Sequence, residues 1–561
     1  MVQKFLNFFD RELGGLHQAA LFLALSAIGS KVLALLRDRF LAGTFGAGRT
    51  LDVYYASFIL PDYLYTFLLF IVSAWALIPV FLEKISRSPN EGQSFLNEVL
   101  TVFFIITIFS VAVLFFLIPF LTPFIAPGFS QEEQSKVIDL SRILLLSPLL
   151  LGLSNLVSSV VQSLRRFFIY ALAPIFYNIG IILGILVFYR WWGLKGVVMG
   201  VIVGAFLHFF IQVPTLLKAG YFPKFTLKIH LLEMKKIIKV SFGRGLALAF
   251  NQIVLTVITA LASFLGPGSI AVFNLAANLE NIPLTVVGLS YGVAAFPTLA
   301  QFHFKNEKEK FMEHIIIAAR HIIFWSFPIT ALFIVLRAQI VRVILGAGAF
   351  TWADTRLTAA SLALLSMAIA AQGIMFLFSR AYYAAGRTKT PLLVNFLSSL
   401  FVIAGSFLFL HVLKNFENFR FAFNHFLRVE DVPGAEMLGL PLIFSLGTIL
   451  NAVFLWLFFQ KDFGQITRRL KKTLFEVSFA SLIAGVIAYF FLFVFSYVFN
   501  LRTFIGIFLQ GFSAGLLGIG TGIAVLRILK NSELEEIITS LRRKIWKRKI
   551  PVLAAEPEKL P

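Results

Sequence analysis

The chain is organised as a series of long apolar runs that contain no charged residue and are separated by short polar connections. Such runs cover residues 63–82, 143–164, 167–189, 196–217, 357–379, 390–413, 438–460, 477–501 and 503–526. A helix needs about 20 apolar residues to cross the hydrocarbon core of a bilayer. Lipid also forces each backbone polar group to find its partner inside the segment. The pattern therefore predicts an all-α polytopic membrane protein.

The apolar runs and the polar residues at their ends predict fourteen transmembrane helices. The long apolar stretch from 245 to 279 is too long for one helix, and we divide it at the turn formed by Leu265-Gly-Pro-Gly268. The predicted spans are 18–43, 53–83, 98–126, 138–164, 167–190, 194–217, 238–264, 269–303, 314–345, 356–385, 389–413, 437–460, 474–498 and 502–528.

The connections between the predicted spans alternate in charge. One set is rich in lysine and arginine, for example around residues 84–87, 165–166, 218–236, 305–310, 387–389 and 468–472, whereas the other set is poor in cations. Cytoplasmic loops carry the excess of basic residues, so the first set is expected to face the cytoplasm. An even number of spans then places both termini in the cytoplasm.

Three landmarks of the first half recur in the same order in the second half. Phe45-Gly-Ala-Gly48, Pro61 and Pro174-x-x-x-Asn178 are followed, 217 to 222 residues later, by counterparts that end at Gly268, Pro283 and Asn395. Transporters are often built from such repeats around a central cavity. We therefore predict an interfacial helix at 1–17, a six-helix bundle at 18–217, a cytoplasmic connection at 218–237, a second six-helix bundle at 238–460, two extra helices at 461–528 and a basic amphipathic tail at 529–561.

Composition supports the membrane prediction and narrows the chemistry. The chain is 59% hydrophobic and only 14% charged, and it contains no cysteine, which excludes disulfides and cysteine nucleophiles. The formal net charge of +21 comes largely from the connections and the tail, where lipid headgroups and topology explain it, so nucleic acid is not an expected partner. No motif for a cofactor or for a metal site is present.

Ionisable residues inside the predicted spans indicate where a cavity lies, because such residues usually face water or each other. The first span contains Lys31, Arg37 and Asp38, which either line a cavity or form a structural ion pair. Arg244 in the seventh span faces either the same cavity or the headgroups, and Glu280 in the eighth span has no neutralising neighbour in the sequence. Cations fixed in a cavity are suited to a phosphate-bearing headgroup.

Several short motifs resemble those of the MurJ/MviN lipid II flippases. The opening Ser30-Lys-Val-Leu-Ala-Leu-Leu-Arg37-Asp38, with Phe45-Gly-Ala-Gly48, Asp52 and Leu60-Pro61 after it, is similar to the start of that family. Three later stretches fit at the matching places, namely the one from Arg166 to Asn178, Gly292-Val-Ala-Ala-Phe-Pro297, and the one from Arg380 to Pro391. The resemblance covers nearly the whole chain. It implies a flippase of the wider exporter superfamily, with a cationic cavity for a pyrophosphate and a groove near the last two spans for a lipid tail.

Carried over by position, the resemblance assigns substrate contacts to Arg37, Asp38 and Asp52, and places Lys31 where the family usually has arginine. The chain departs from the pattern elsewhere: Tyr65, Thr66 and Phe70 stand where relatives carry two arginines and a glutamate, and Ala277-Asn278 stands for Asp-Arg. The candidate substrate-binding residues are therefore Lys31, Arg37, Asp38, Asp52, Arg244 and Glu280.

The sequence leaves several functions open. A flippase for undecaprenyl-pyrophosphate-linked peptidoglycan precursor is the leading hypothesis, and a flippase or antiporter for another polyprenyl-linked glycan or small molecule is the alternative. A non-transporting scaffold is the third, whereas an enzyme is not expected because no catalytic motif is present. We expect a monomer driven by an ion gradient or the membrane potential, with a coupling ion that no pattern locates. The tail is expected to lie on anionic lipids or to bind a partner.

Overall fold

The structure, a computed structural model, describes residues 16–72, 74–164, 166–230, 246 and 249–546, and all regular secondary structure within them is helical. We label the helical segments α1 to α14, several of which consist of two or more pieces. The first half of the chain contains α1 (Leu16–Phe45), α2 (Arg49–Ala56, Ile59–Val72 and Ala74–Arg87), α3 (Pro89–Ile125), α4 (Gln131–Leu144 and Leu146–Ser163), α5 (Phe167–Leu183, with the π-turn Gly184–Phe188 and Tyr189–Trp192) and α6 (Leu194–Phe210 and Val213–Lys218). The second half contains α7 (Ala249–Ser263), α8 (Ser269–Leu284, the π-turn Thr285–Leu289 and Ser290–Phe304), α9 (Lys308–Val335 and Arg337–Leu345), α10 (Trp352–Ser366 and Ile369–Ala384), α11 (Lys389–Asn415) and α12 (Gly439–Phe463). Two further segments follow, α13 (Thr467–Ser496) and α14 (Phe504–Ile528).

The predicted all-α membrane fold is confirmed. Ten helices among the described residues are long and apolar enough to cross a membrane, and the two pieces of α10, bent by 42°, make an eleventh candidate if they form one span. The predicted number of fourteen spans stays a prediction. The predicted break at Gly266-Pro-Gly268 is confirmed, because α7 ends at Ser263 and α8 begins at Ser269. Most of the predicted N-terminal interfacial helix lies outside the described residues.

The same helix pairings occur in the two halves of the chain. In the first half α2 packs on α3 and α4, α4 packs on α6, and α5 packs on α6; in the second half α8 packs on α9 and α10, α10 on α12, and α11 on α12. The last two segments, α13 and α14, pack on each other and on α9, outside this pattern. This correspondence supports the predicted repeat, whereas the predicted domain boundaries stay predictions.

Glycines spaced four residues apart, Gly196-x-x-x-Gly200-x-x-x-Gly204, allow α5 and α6 to pack closely. A Cβ atom added to Gly200 would collide with Gly184 of α5, and one added to Gly204 would collide with the carbonyl of Tyr177. Small residues at such positions let the backbones approach, which is how membrane helices gain packing energy.

Gly200→Ala is expected to destabilise the first half of the protein by about 1–3 kcal/mol, because extra atoms in a tightly packed contact force the backbones apart. Thermal unfolding in detergent measures the effect as a lower midpoint temperature. Gly520→Ala is the matched control, since Gly520 lies in α14 with no atom within 4 Å of an added Cβ. Equal midpoints for the two variants would contradict the packing role.

The tail begins with a helix, Ser532–Trp546, that docks on the protein. Asn531 caps this helix, because its side chain accepts a hydrogen bond from the N–H of Leu534 at 3.0 Å; the sequence Ser532-x-x-Glu535, which has the form of a capping box, starts one residue later. Asn531 also donates to Glu476 of α13 at 2.8 Å, and Thr473 donates to Glu533 at 2.9 Å. Asparagine is a strong N-cap, and these bonds to α13 fix it one residue earlier. The basic end of the tail after 546 lies outside the described residues.

The connection between α11 and α12 contains a further helix, Glu417–Leu427, which we call the outer helix. Phe416 and three phenylalanines of the helix, Phe419, Phe421 and Phe426, are exposed. Arg428 holds the end of the helix to the bundle by donating to the hydroxyl of Tyr489 at 2.9 Å. Phenylalanines on a short helix that also carries charged residues are typical of the membrane–water boundary.

Candidate substrate chamber

Three adjoining cavities lie inside the protein, two of them between the first and second halves of the chain and the third within the second half. The cavity that we call the outer cavity has a volume of about 310 Å³, and the Lys31 cavity has about 230 Å³; both are lined by Arg37, Asp38, Tyr177 and Asn278. The third, which we call the C-half cavity, has about 600 Å³ and shares Asn281 with the Lys31 cavity. Together these cavities form one chamber bounded by α1, α2, α5, α7, α8, α10, α11 and α12.

Arg37 and Asp38 form the most strongly bonded polar pair of the chamber. The Nε and Nη2 atoms of Arg37 donate to Oδ1 of Asp38 at 2.9 and 2.7 Å, and Nη1 donates to Oδ1 of Asn178 in α5 at 3.3 Å. Asp38 is 2% exposed. A guanidinium has five N–H donors, so two of them remain after these three bonds. Arg37 can therefore bind a phosphate oxygen while Asp38 and Asn178 hold it in place.

Lys31 faces the chamber without a partner. It lines the Lys31 cavity with Ser30, Asn178, Asn278 and Asn281, and within the described residues its ammonium group has no hydrogen bond or ion pair. Of the two alternatives, a cavity wall and a structural ion pair, Lys31 shows only the first, whereas Arg37 shows both because it lines the chamber and pairs with Asp38. The two cations of α1 thus both line the chamber, whereas their predicted contact with substrate stays a prediction.

Asp52 does not line any of these three cavities, and its predicted contact with substrate stays a prediction. Its carboxylate is fully buried and accepts hydrogen bonds from the backbone N–H groups of Gly268 and Ala271 at 2.7 and 2.9 Å. The first N–H groups of a helix have no partner inside the helix. Asp52 therefore caps α8 and joins the first half of the chain to the second.

Further contacts close the chamber at the end where α1 finishes and α8 starts, which we call the outer seal. The N–H of Ala349 donates to the carbonyl of Gly43 at 2.8 Å, and Arg39 donates to the carbonyl of Val343 at 2.8 Å. The N–H of Gly128 donates to the hydroxyl of Ser263 at 2.9 Å. All these residues lie near connections that the charge pattern places outside, so the structure is closed on the predicted outer side.

Glu280 lies in the C-half cavity, apart from the cations of α1. It is 5% exposed, and the side-chain amide of Gln372 in α10 donates to its Oε1 atom at 2.9 Å. Pro283 and the π-turn Thr285–Leu289 follow directly in α8, and π-turns often occur at functional sites. The remaining predicted residue, Arg244, lies outside the described residues.

Sequence reasoning missed Asp62, which lines the outer cavity on α2. The sequence signal was weak, because Asp62 marks the edge of an apolar run and resembles an interfacial residue. It lies ten residues after Asp52, which in a helix is about 15 Å deeper. Sequence reasoning also missed Gln372, whose hydrogen bond to Glu280 joins positions 92 residues apart.

The comparisons with known proteins agree with this architecture. A family model described as "Lipid II flippase MurJ" matches residues 41–508. The chain belongs to the MurJ family. A "Probable lipid II flippase MurJ" of Thermotoga maritima is 27% identical over 515 residues, covering 92% of this chain and 97% of that protein. One from Borreliella burgdorferi is 25% identical over 390 residues, covering 69% and 76%.

Solved structures show the same fold. A structure titled "Lipid II flippase MurJ, inward closed conformation" superposes with a TM-score of 0.71 at 24% identity, covering 92% of this chain and all of that one. A multidrug transporter of the MATE family, described as inward-facing, superposes with a TM-score of 0.63 at 13% identity, covering 79% and 96%. The fold of this chain is therefore shared with a transporter whose title assigns it to the MOP superfamily.

Proposed function

We propose that the protein is a flippase that moves a lipid-linked peptidoglycan precursor, lipid II, from the inner to the outer leaflet of the bacterial inner membrane. The observation that carries the proposal is the pair of α1 cations, Lys31 and Arg37, facing a chamber inside the membrane. Membership in the MurJ family supports the same substrate. Charged groups at this depth are costly unless a cavity or ligand compensates for them, and a pyrophosphate supplies that compensation.

The closed outer seal suggests the direction of the cycle. A chamber that is shut on the outer side admits a headgroup from the cytoplasmic leaflet, and release then requires the seal to part. In alternating access, two similar bundles rock about a binding site between them, and the repeated pairings of α1–α6 and α7–α12 fit that motion. We propose an ion gradient or the membrane potential as the energy source and a monomer as the working unit, with both termini in the cytoplasm.

The exposed faces of α13 and α14 suit the polyprenyl tail. Both helices carry a row of exposed apolar side chains, which includes Phe479, Leu482 and Val486 on α13 and Phe508, Phe512 and Leu516 on α14. A tail that stays in lipid while the headgroup crosses the chamber needs such an apolar surface beside it. The polyprenyl tail then stays in the lipid, outside the bundle formed by α1 to α12.

Translocation in liposomes tests the proposed function directly. Purified full-length protein is reconstituted into vesicles that contain fluorescent lipid II, and a membrane-impermeant quencher reports how much of it reaches the opposite leaflet. Faster exchange than in protein-free vesicles supports the proposal. The same assay with another polyprenyl-linked glycan separates the two substrates, and failure to bind or move either lipid would favour the scaffold hypothesis.

Glu280 is proposed to accept hydrogen bonds from hydroxyl groups of the precursor's sugars. Glu280→Ala is expected to lower the flipping rate by roughly tenfold, because it removes an acceptor and leaves the buried amide of Gln372 unpaired. Glu280→Gln keeps an acceptor oxygen and is expected to lose much less. Rates from the vesicle assay that fall equally for both variants would contradict this role, since they would show that the negative charge itself is required.

A further inference from the structure

Two charged side chains of the chamber lack a partner in the described part of the chain. Lys31 lines the Lys31 cavity and Asp62 lines the outer cavity, and neither makes a hydrogen bond or ion pair through its side chain. Asp62 is exposed, but it opens onto the outer cavity inside the protein. Arg37, which lines both cavities, is by contrast held by Asp38 and Asn178.

Unpaired charges of opposite sign in one chamber indicate what the ligand must offer. An ionisable group within a membrane protein is expensive when it has no counter-charge. A headgroup bearing only negative charge would satisfy Lys31 and Arg37, but it would repel the carboxylate of Asp62. The missing counterpart of Asp62 is therefore a positive charge.

The surroundings of Asp62 favour an organic cation. Aromatic rings of Tyr54, Phe58, Tyr177 and Phe273 line the same cavity, and the faces of aromatic rings attract ammonium groups. The hydroxyl of Tyr55, another lining residue, is buried without a hydrogen-bond partner and can accept one N–H. No group of three or more histidine, cysteine, aspartate or glutamate residues that could hold a metal ion occurs in the described ranges.

We propose that Asp62 binds an ammonium group on the translocated headgroup, while Lys31 and Arg37 bind its phosphates. This inference rests on the proposed function, because a peptidoglycan precursor combines a diphosphate with a stem peptide that can carry a free amine. Asp62 is then a specificity-determining residue. It distinguishes a headgroup with a free amine from one whose amine is blocked.

The test combines a change in the protein with a change in the ligand. Binding of lipid II with a free stem-peptide amine is compared with binding of the same lipid after acetylation of that amine, for the wild-type protein and for Asp62→Asn in detergent. Acetylation is expected to weaken wild-type binding by roughly 10- to 100-fold, the usual effect of a charged hydrogen bond. Asp62→Asn is expected to weaken binding of the free amine by a similar factor and to be indifferent to acetylation.

Asp139→Asn is the matched control, because it makes the same chemical change at an exposed aspartate that pairs with Lys195 away from the cavities; it should discriminate between the two ligands as the wild type does. A monodisperse peak on size exclusion shows that each variant is folded. Equal wild-type affinity for both ligands overturns the inference, as does an Asp62→Asn variant that weakens both ligands equally. Discrimination that is lost when divalent cations are chelated also overturns it, since a metal would then be the counterpart.

Failure of the inference and failure of the proposed function remain separate. Wild-type protein that binds both lipids equally well keeps the proposed function and loses only the ammonium site. Wild-type protein that binds neither lipid overturns the proposed function, and the ammonium site falls with it.

Discussion

Cells that depend on an Arg37→Ala variant are expected to stop dividing and to accumulate lipid-linked precursor. The change removes the donors that face the chamber, and it leaves the buried carboxylate of Asp38 without its partner. Breaking a buried pair from one side costs about 3–5 kcal/mol, so both substrate binding and the local structure suffer. Complementation of a strain depleted of its own flippase measures the effect, with immunoblotting to show that the protein is present.

A double variant separates the loss of substrate binding from the loss of stability as causes of the defect. Arg37→Ala combined with Asp38→Ala removes both charges, and it is expected to recover most of the thermal stability without recovering transport. Arg37→Lys keeps the charge but loses the planar fork, so an intermediate loss is expected. Arg87→Ala, at an exposed surface pair with Glu83, should behave as the wild type. Full complementation by Arg37→Ala would show that the site is wrongly assigned.

Gly268→Ala is expected to open the outer seal. Gly268 has a φ of +89°, and an added Cβ would collide with the carbonyl oxygen of Ala47 across the two halves. The left-handed conformation costs a non-glycine residue about 1–2 kcal/mol, and the collision pushes the halves apart. Because the chain contains no cysteine, a single Asn274→Cys change in the outer cavity can report access. Labelling by an impermeant maleimide from outside should become roughly tenfold faster.

The control for this experiment is Gly434→Ala. Gly434 also has a positive φ, +79°, but an added Cβ would come no closer than 3.8 Å to another residue, Gly266. The same backbone strain without the collision should leave the labelling rate unchanged. Similar acceleration in both variants would attribute the effect to strain rather than to the seal.

The sequence predicted the helices, the break at Gly266-Pro-Gly268 and the cations of α1 because these features are local. The length of a charge-free run predicts a transmembrane helix, and glycine and proline predict a turn. Lys31 lies too deep in α1 to reach the headgroups easily, which predicts that it faces a cavity. A run of apolar residues does not, however, specify which neighbour each helix face will meet. The pairing of Gln372 with Glu280 and the capping of α8 by Asp52 depend on that choice.

Asp52 and Asp62 illustrate the limit most directly. Both are aspartates of α2, ten residues apart, and the sequence offers no reason to separate their roles. Asp52 lies at the start of α8, where its carboxylate accepts hydrogen bonds from backbone N–H groups. Asp62 faces a cavity, and its side chain has no hydrogen-bond partner among the described residues. Their difference comes entirely from how α7 and α8 approach α2.

Several contacts that close the chamber use main-chain atoms: a carbonyl of α1 with an amide beyond α9, an amide of the α3–α4 turn with Ser263, and the amides of α8 with Asp52. Every residue type except proline carries the same amide. The contact between Gly43 and Ala349 needs no side chain, and the other two depend only on the side chains of Ser263 and Asp52. The side chains that line the cavities can therefore change while these closing contacts are kept. Headgroup preference can therefore drift through evolution while the machinery of closure stays fixed.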